Sequence, residues 1–182
     1  MPVRTVLQEA DIARALTRIA HEILEANRGP DSLVILGIPT RGALLAERIA
    51  ARLGEITGTD FAARTGTLDV TMHRDDLART GTRPTHPTCI PASGIDGQTV
   101  VLVDDVLYSG RTIRAALDAL TDLGRPAAVR LAVLIDRGHR QLPIRADSVG
   151  KNLPSAASEH VSILLAELDG RDAVTIQEGS TR

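Results

Sequence analysis

The stretch Val100-Val101-Leu102-Val103-Asp104-Asp105-Val106-Leu107-Tyr108-Ser109-Gly110-Arg111-Thr112 decides the fold. Four apolar residues of buried-strand type run into two carboxylates, and a polar loop from Asp104 to Gly110 opens a helix carrying Ile113, Leu117 and Leu120. So apolar a strand belongs at the centre of a sheet covered on both faces. Ligands of open parallel sheets bind beyond the carboxyl ends of the strands. There, main-chain N–H groups at a helix N-terminus form a phosphate cradle, with Gly110 allowing close approach and Ser109 and Thr112 adding hydroxyls. The two acids would repel a phosphate unless its bearer also presents a sugar diol or a divalent cation, both of which carboxylates hold. A pair of solvated acids before an ordinary helix is the plain alternative. The complete thirteen-residue run outweighs it.

Outward from this run, the chain reads as alternating strands and helices. Residues 8–27 carry Ile12, Leu16, Ile19, Ile23 and Leu24 at helical spacing, stopped by Gly29-Pro30. Leu33 to Leu36 is a short buried strand, and Gly37-Ile38-Pro39-Thr40-Arg41-Gly42 leads into a helix with Leu44, Leu45, Ile49 and Leu53. Leu68 to Met72 alternates like a half-exposed strand. A Gly- and Pro-containing excursion over about 70–95 follows, of the kind that is usually functional. Val129 to Ile135 is a further buried strand; a basic segment runs on to Pro154, and strands are expected at Val161 to Leu165 and, as an edge with a tail, Ala173 to Ile176.

With 182 residues, 43% hydrophobic and 24% charged, the chain suits one α/β domain spanning 1–182, with a core of Val, Ile, Leu and Ala because it has one Phe, one Tyr and no Trp. The lone Cys89 excludes an internal disulfide, and neither a secretion signal nor a membrane-length apolar run is visible, so a cytoplasmic protein is expected. A net charge of −2 excludes wholesale attraction to polyanions, leaving only local patches for nucleic acid.

A phosphate, a diol and a metal in one loop describe phosphoribosyl pyrophosphate (PRPP) with Mg²⁺. The run also resembles the PRPP fingerprint of type I phosphoribosyltransferases. That resemblance implies a twisted, mainly parallel sheet flanked by helices with a small hood, here about 137–160. It implies that Thr40 and Arg41, in the loop after the first core strand, bind the leaving pyrophosphate. PRPP or nucleotide would be held by Thr40, Arg41, Arg74, Asp105, Val106, Leu107, Tyr108, Ser109, Gly110, Arg111 and Thr112. Asp104, Asp105 and Arg41 would be catalytic, the two acids also holding Mg²⁺ directly or through water.

Further segments narrow the likeness. Arg74-Asp75-Asp76-Leu77, Ile135-Asp136-Arg137-Gly138-His139-Arg140, Leu142-Pro143-Ile144-Arg145-Ala146-Asp147 and Val149-Gly150-Lys151-Asn152, with the runs above, resemble the PyrR family over nearly the whole chain. Those bacterial proteins regulate pyrimidine operons, by transcription attenuation among other routes, and are uracil phosphoribosyltransferases. The resemblance implies PRPP, uracil and UMP or UTP as ligands, a base lying near Ile135, Arg137 and Val161, a flexible loop around Arg74 and Asp75, a structured leader mRNA as partner, and a homodimer or larger assembly. Two aromatics usual in the family are replaced, by His73 and Ser148. Purine-using relatives place Asp where Tyr108 stands, which favours a pyrimidine; a Tyr108 that only packs over the loop stays open, as does a purine phosphoribosyltransferase without an RNA role.

Charge adds a second theme. Arg137, Arg140, Arg145 and Lys151, the chain's only lysine, face one carboxylate in that span, Asp147, while Arg14, Thr17, His21 and Arg28 share the polar face of the first helix. Charge alone favours a solvated surface. The resemblance points the other way, because Thr17, His21, Arg140, Arg145 and Lys151 match positions associated with RNA binding in that family.

Overall fold

The computed structural model describes residues 3–75 and 86–179. Its elements are β1 (Val3–Gln8), α1 (Glu9–Asn27), β2 (Leu33–Gly37), α2 (Arg41–Thr57), β3 (Thr65–Thr67), β4 (Thr99–Leu107), α3 (Arg111–Leu123), β5 (Ala128–Asp136), β6 (Ser148–Asn152), β7 (Glu159–Leu164), the single turn α4 (Ala166–Asp169) and β8 (Ala173–Glu178). Five strands form a parallel sheet in the order β3-β2-β4-β5-β6, and β1-β8-β7 form a separate antiparallel sheet.

The central strand is β4, as its apolarity requires. Alternate residues serve two cores. Val101 and Val103 join Leu33, Ile35, Ala132 and Leu134 under α1, α2 and the antiparallel sheet. Val100 and Leu102 join Val34, Leu36, Leu131 and Val133 under Ile113, Ala116 and Leu120 of α3. Both faces are thus covered, and every strand residue from Val100 to Val103 is buried. The strand order reverses between β2 and β4, which opens a crevice between the loops that follow them.

Four expectations need correcting. β4 does not stop at Val103: Asp104 pairs with Val133 and Leu107 with Asp136, so both acids sit on the strand and not in a loop. The strand expected over Leu68 to Met72 is instead β3 at Thr65–Thr67, followed by a single 3-10 turn at Thr71–His73, with Leu68 and Val70 buried beside α3. The hood expected over about 137–160 is built otherwise. Residues 148–152 pair with β5 as the edge of the parallel sheet, and the second sheet draws on both the first and last strands. Finally, β8 is the centre of that sheet and not an edge. Of the expected flexible excursion, residues 76–85 lie outside the described residues.

Candidate active site

The crevice is built by three loops. Behind the first, Gly37 and Gly42 back directly onto their neighbours; a Cβ at Gly42 would lie 2.5 Å from the Val103 carbonyl oxygen and 3.1 Å from Asp104 Cα. The Ile38 N–H donates to that same carbonyl at 2.9 Å. Only glycine therefore lets the Pro39–Arg41 turn lie flat against β4, beside the two acids. A cleft of about 520 Å³ opens there, with Thr40, Arg41, Asp69, Arg74, His86 and Asp105 among the residues around it. It shares Arg74, Asp104, Val106 and Thr112 with a second hollow of about 340 Å³ formed by the Tyr108–Thr112 loop.

The acids differ in environment. Asp104 is buried, and its Oδ1 accepts the Asp105 N–H at 2.9 Å, while Asp105 Oδ1 accepts the Val106 N–H at 2.7 Å. Burial first, and then the charge of Asp105, pushes the Asp104 carboxyl well above the usual carboxylate range. Among the described residues, no group of three or more His, Cys, Asp or Glu gathers around one point. Two adjacent carboxylates suit Mg²⁺ that keeps waters and takes its remaining oxygens from a phosphorylated ligand.

The Tyr108–Thr112 loop is braced from behind. Gly110 has φ 93, and α3 starts at once with Arg114 N–H donating to the Gly110 carbonyl at 3.0 Å. Ser109 accepts from the main chain of Gln141 and Leu142, and Arg111 Nε donates to Gln141 Oε1 at 2.8 Å. Arg111 also pairs with Asp75, which tethers the stem of the expected flexible loop to the cradle. Leu107 contributes main chain only, its side chain being in the core.

Several expected residues are placed differently. Arg140 was expected to face RNA, but its guanidinium donates to Asp136 Oδ2 at 2.5 Å, to the Ile144 carbonyl at 2.8 Å and to the Tyr108 carbonyl at 2.9 Å. It is a strut of the phosphate loop. Arg137 is buried, donates to Ser155 Oγ and to the Ala156 and Glu159 carbonyls, and lies 4.4 Å from the Tyr108 ring centroid. Ile135 is fully buried and Val161 nearly so, both in the larger core, so neither side chain offers a wall to a base. The four-cation patch over 137–151 therefore does not assemble. Lys151 instead joins Arg14 and Arg18 around a groove between α1 and β6. Arg18 donates to the Val149 and Gly150 carbonyls there, a role that helical spacing could not reveal. Thr17 and His21 are exposed on the same helix, Thr17 accepting from Arg52 of α2 at 3.2 Å. Arg145 is exposed.

Sequence reasoning missed Asp69, Thr71, His86, Gln141 and Asp169. Arg41 Nη2 donates to both Asp169 carboxylate oxygens, at 3.1 and 3.2 Å, across 128 positions of sequence. No local pattern marks such a partner.

Residues 2–166 match the family described as phosphoribosyl transferase domain. The chain is 69% identical over 182 residues to a bifunctional protein PyrR of Leifsonia xyli subsp. xyli, covering 98% of this chain and 99% of that one. The chain belongs to the PyrR family. A PyrR protein of Streptomyces coelicolor is 62% identical over 173 residues, covering 95% of this chain and 89% of its own. Among solved structures, a hypoxanthine phosphoribosyltransferase of Trypanosoma cruzi superposes with TM-score 0.70 at 20% identity, over 95% and 94% of the two chains. One of Staphylococcus aureus gives 0.68 at 19%, over 97% and 93%. These two likenesses establish the type I phosphoribosyltransferase fold for this PyrR member and nothing about its base.

Proposed function

We propose that the chain is a uracil phosphoribosyltransferase that also binds RNA to regulate pyrimidine genes. The observation that carries the enzyme is the carboxylate pair of β4 running straight into the Gly110-led start of α3, with both lining connected hollows. PRPP fits this arrangement end to end. Its 5′-phosphate lies on the Tyr108–Thr112 amides, its ribose hydroxyls on Asp104 and Asp105, and its pyrophosphate beside Thr40 and Arg41.

Uracil N1 attacks ribose C1 as the bond from C1 to the pyrophosphate oxygen breaks, through a transition state of oxocarbenium character, pyrophosphate leaving with the electron pair and the N1 proton passing to water. Mg²⁺ held at Asp104 and Asp105 supplies charge neutralisation of the leaving group when bound. Arg41 adds a fixed positive charge at the same end. No carboxylate stands at position 108 to act as a base, and uracil's comparatively acidic N1–H needs none. The Arg137 guanidinium against the Tyr108 ring holds that side chain over the loop, and the base is read by main-chain groups near the end of β5.

For RNA, the exposed ridge of α1 with Thr17 and His21, together with Lys151 across the groove, supplies the phosphate-binding surface, and the exposed Arg145 is a separate contact. Arg140 contributes only through the loop it supports. UMP or UTP in the cleft favours the RNA-bound state, and coupling of that kind is reciprocal. Function as a cytoplasmic homodimer or larger assembly is part of this reading, and no described helix is long and apolar enough to cross a membrane.

The test is turnover of purified protein with PRPP, Mg²⁺ and each free base, beside filter binding to a pyrimidine-operon leader with and without UMP. Turnover of uracil and UMP-stimulated RNA binding are expected. Turnover of hypoxanthine or guanine alone would replace the enzyme reading with its purine alternative. Unchanged RNA affinity in Lys151→Ala would remove the surface assigned here.

A further inference from the structure

His86 belongs to none of the runs that identify the cleft, yet it stands at the cleft's pyrophosphate end. Its Nε2 lies 3.5 Å from Thr40 Oγ1. Its main chain is pinned, because the His86 N–H donates to Asp69 Oδ2 at 3.0 Å. The other oxygen of Asp69 accepts from the Thr71 N–H at 2.9 Å and the Thr71 hydroxyl at 2.6 Å. Burial pushes the Asp69 carboxyl up, but these hydrogen bonds and the nearby imidazole hold it below its ordinary range, so the anchor stays ionised. An exposed imidazole on a fixed backbone, touching the loop that faces the leaving group, is a phosphate ligand in geometry.

We infer that His86 is a pyrophosphate-binding residue of this cleft, donating from Nε2 to the diphosphate beside Thr40. The inference rests on the PRPP reading of the cleft and adds a ligand to it. The charge balance at this end explains the need. Arg41 shares its Nη2 with Asp169, so a diphosphate meets a partly compensated guanidinium there. The cleft that holds the imidazole is lined by Thr40 and Arg41 on one loop, Asp69, Thr71 and Arg74 on another segment, and Asp104 and Asp105 on β4. A diphosphate arriving there needs a further N–H donor at the Thr40 end. The His86 Nε2, already beside Thr40 Oγ1, supplies it.

The experiment is calorimetric titration of the full chain with pyrophosphate plus Mg²⁺, using wild type, His86→Ala and His86→Lys, with UMP as the control ligand. UMP occupies the phosphate loop without reaching the pyrophosphate end. His86→Ala is expected to weaken pyrophosphate binding about tenfold. His86→Lys is expected to keep the affinity, and UMP is expected to bind all three alike. Equal pyrophosphate affinity of His86→Ala and wild type overturns the inference, as does a matching loss for UMP. A wild-type chain that takes up UMP but no pyrophosphate also overturns it while sparing the nucleotide site. One that binds neither ligand removes the PRPP reading itself.

Discussion

Arg41 and Asp169 join the pyrophosphate loop to the second sheet, one guanidinium nitrogen donating to both carboxylate oxygens. The acid is a built-in competitor for the cation that a diphosphate would seek. Asp169→Asn keeps the shape and removes the charge. It should lower the KM for PRPP about threefold to tenfold while leaving stability nearly unchanged, because the pair is partly exposed. Steady-state kinetics and denaturant titration check both halves, and a raised KM would show that the acid aims the arginine instead.

Asp104 sets a conflict between stability and function. Its folded-state pKa is raised, so the native chain holds the proton more tightly than the unfolded chain does. The associated stability is complete below the ordinary carboxylate range and declines as pH rises through the raised value. Asp104→Asn escapes that decline. Its melting temperature should exceed that of wild type at about pH 8 and match it at about pH 3, while turnover falls about a hundredfold.

Gly42→Ala tests the close approach of loop to strand. The added methyl would meet main chain at 2.5 Å, with no flexible side chain to yield. A loss of about 1–3 kcal/mol is expected, with PRPP affinity falling and UMP affinity nearly kept, as measured by unfolding and by ligand titration.

Arg48 ties α2 to the second sheet through Asp172, at 2.5 and 2.9 Å, and through Glu167, at 2.6 and 2.9 Å. The hydrogen bonds from Arg48, ahead of every other influence, hold the Asp172 carboxyl below its usual range. That contribution is present above the unfolded value of about 4 and is lost as pH falls through the depressed folded value. Asp172→Asn should cost about 2 kcal/mol at neutral pH and progressively less as pH falls below the ordinary carboxylate range, as followed by thermal melts at a series of acid pH values.

The parallel sheet was legible because its strands are short, continuous apolar runs, and the turn from Tyr108 to Thr112 because a glycine among hydroxyl residues before a helix is a pattern that lies within a few positions of sequence. Three things were not. β1 was not assigned at all, since its partner strand lies about 170 positions away and leaves no local pattern. The end of β4 was cut short at Asp104 because a charged residue in a central strand contradicts the pattern that makes the strand recognisable. Only the cleft at the end of that strand explains the charge. The basic patch over 137–151 failed for a third reason: charge counts ignore partners, and Asp136 and the hood's carbonyls had already engaged Arg140 and Arg137. His86 and Asp169 carried no signal at all, being defined by distance in space alone.

The placement of β8 between β1 and β7 has a consequence for biosynthesis. During translation the five-stranded sheet can assemble once residue 152 has left the ribosome, whereas the smaller sheet must wait for its middle strand, the last to emerge. Until then the first strand hangs without a neighbour. A nascent chain therefore passes through a stage at which the parallel sheet exists and the smaller sheet that covers part of its core does not, and premature termination near residue 170 would leave that core half exposed for the cell's quality control to clear.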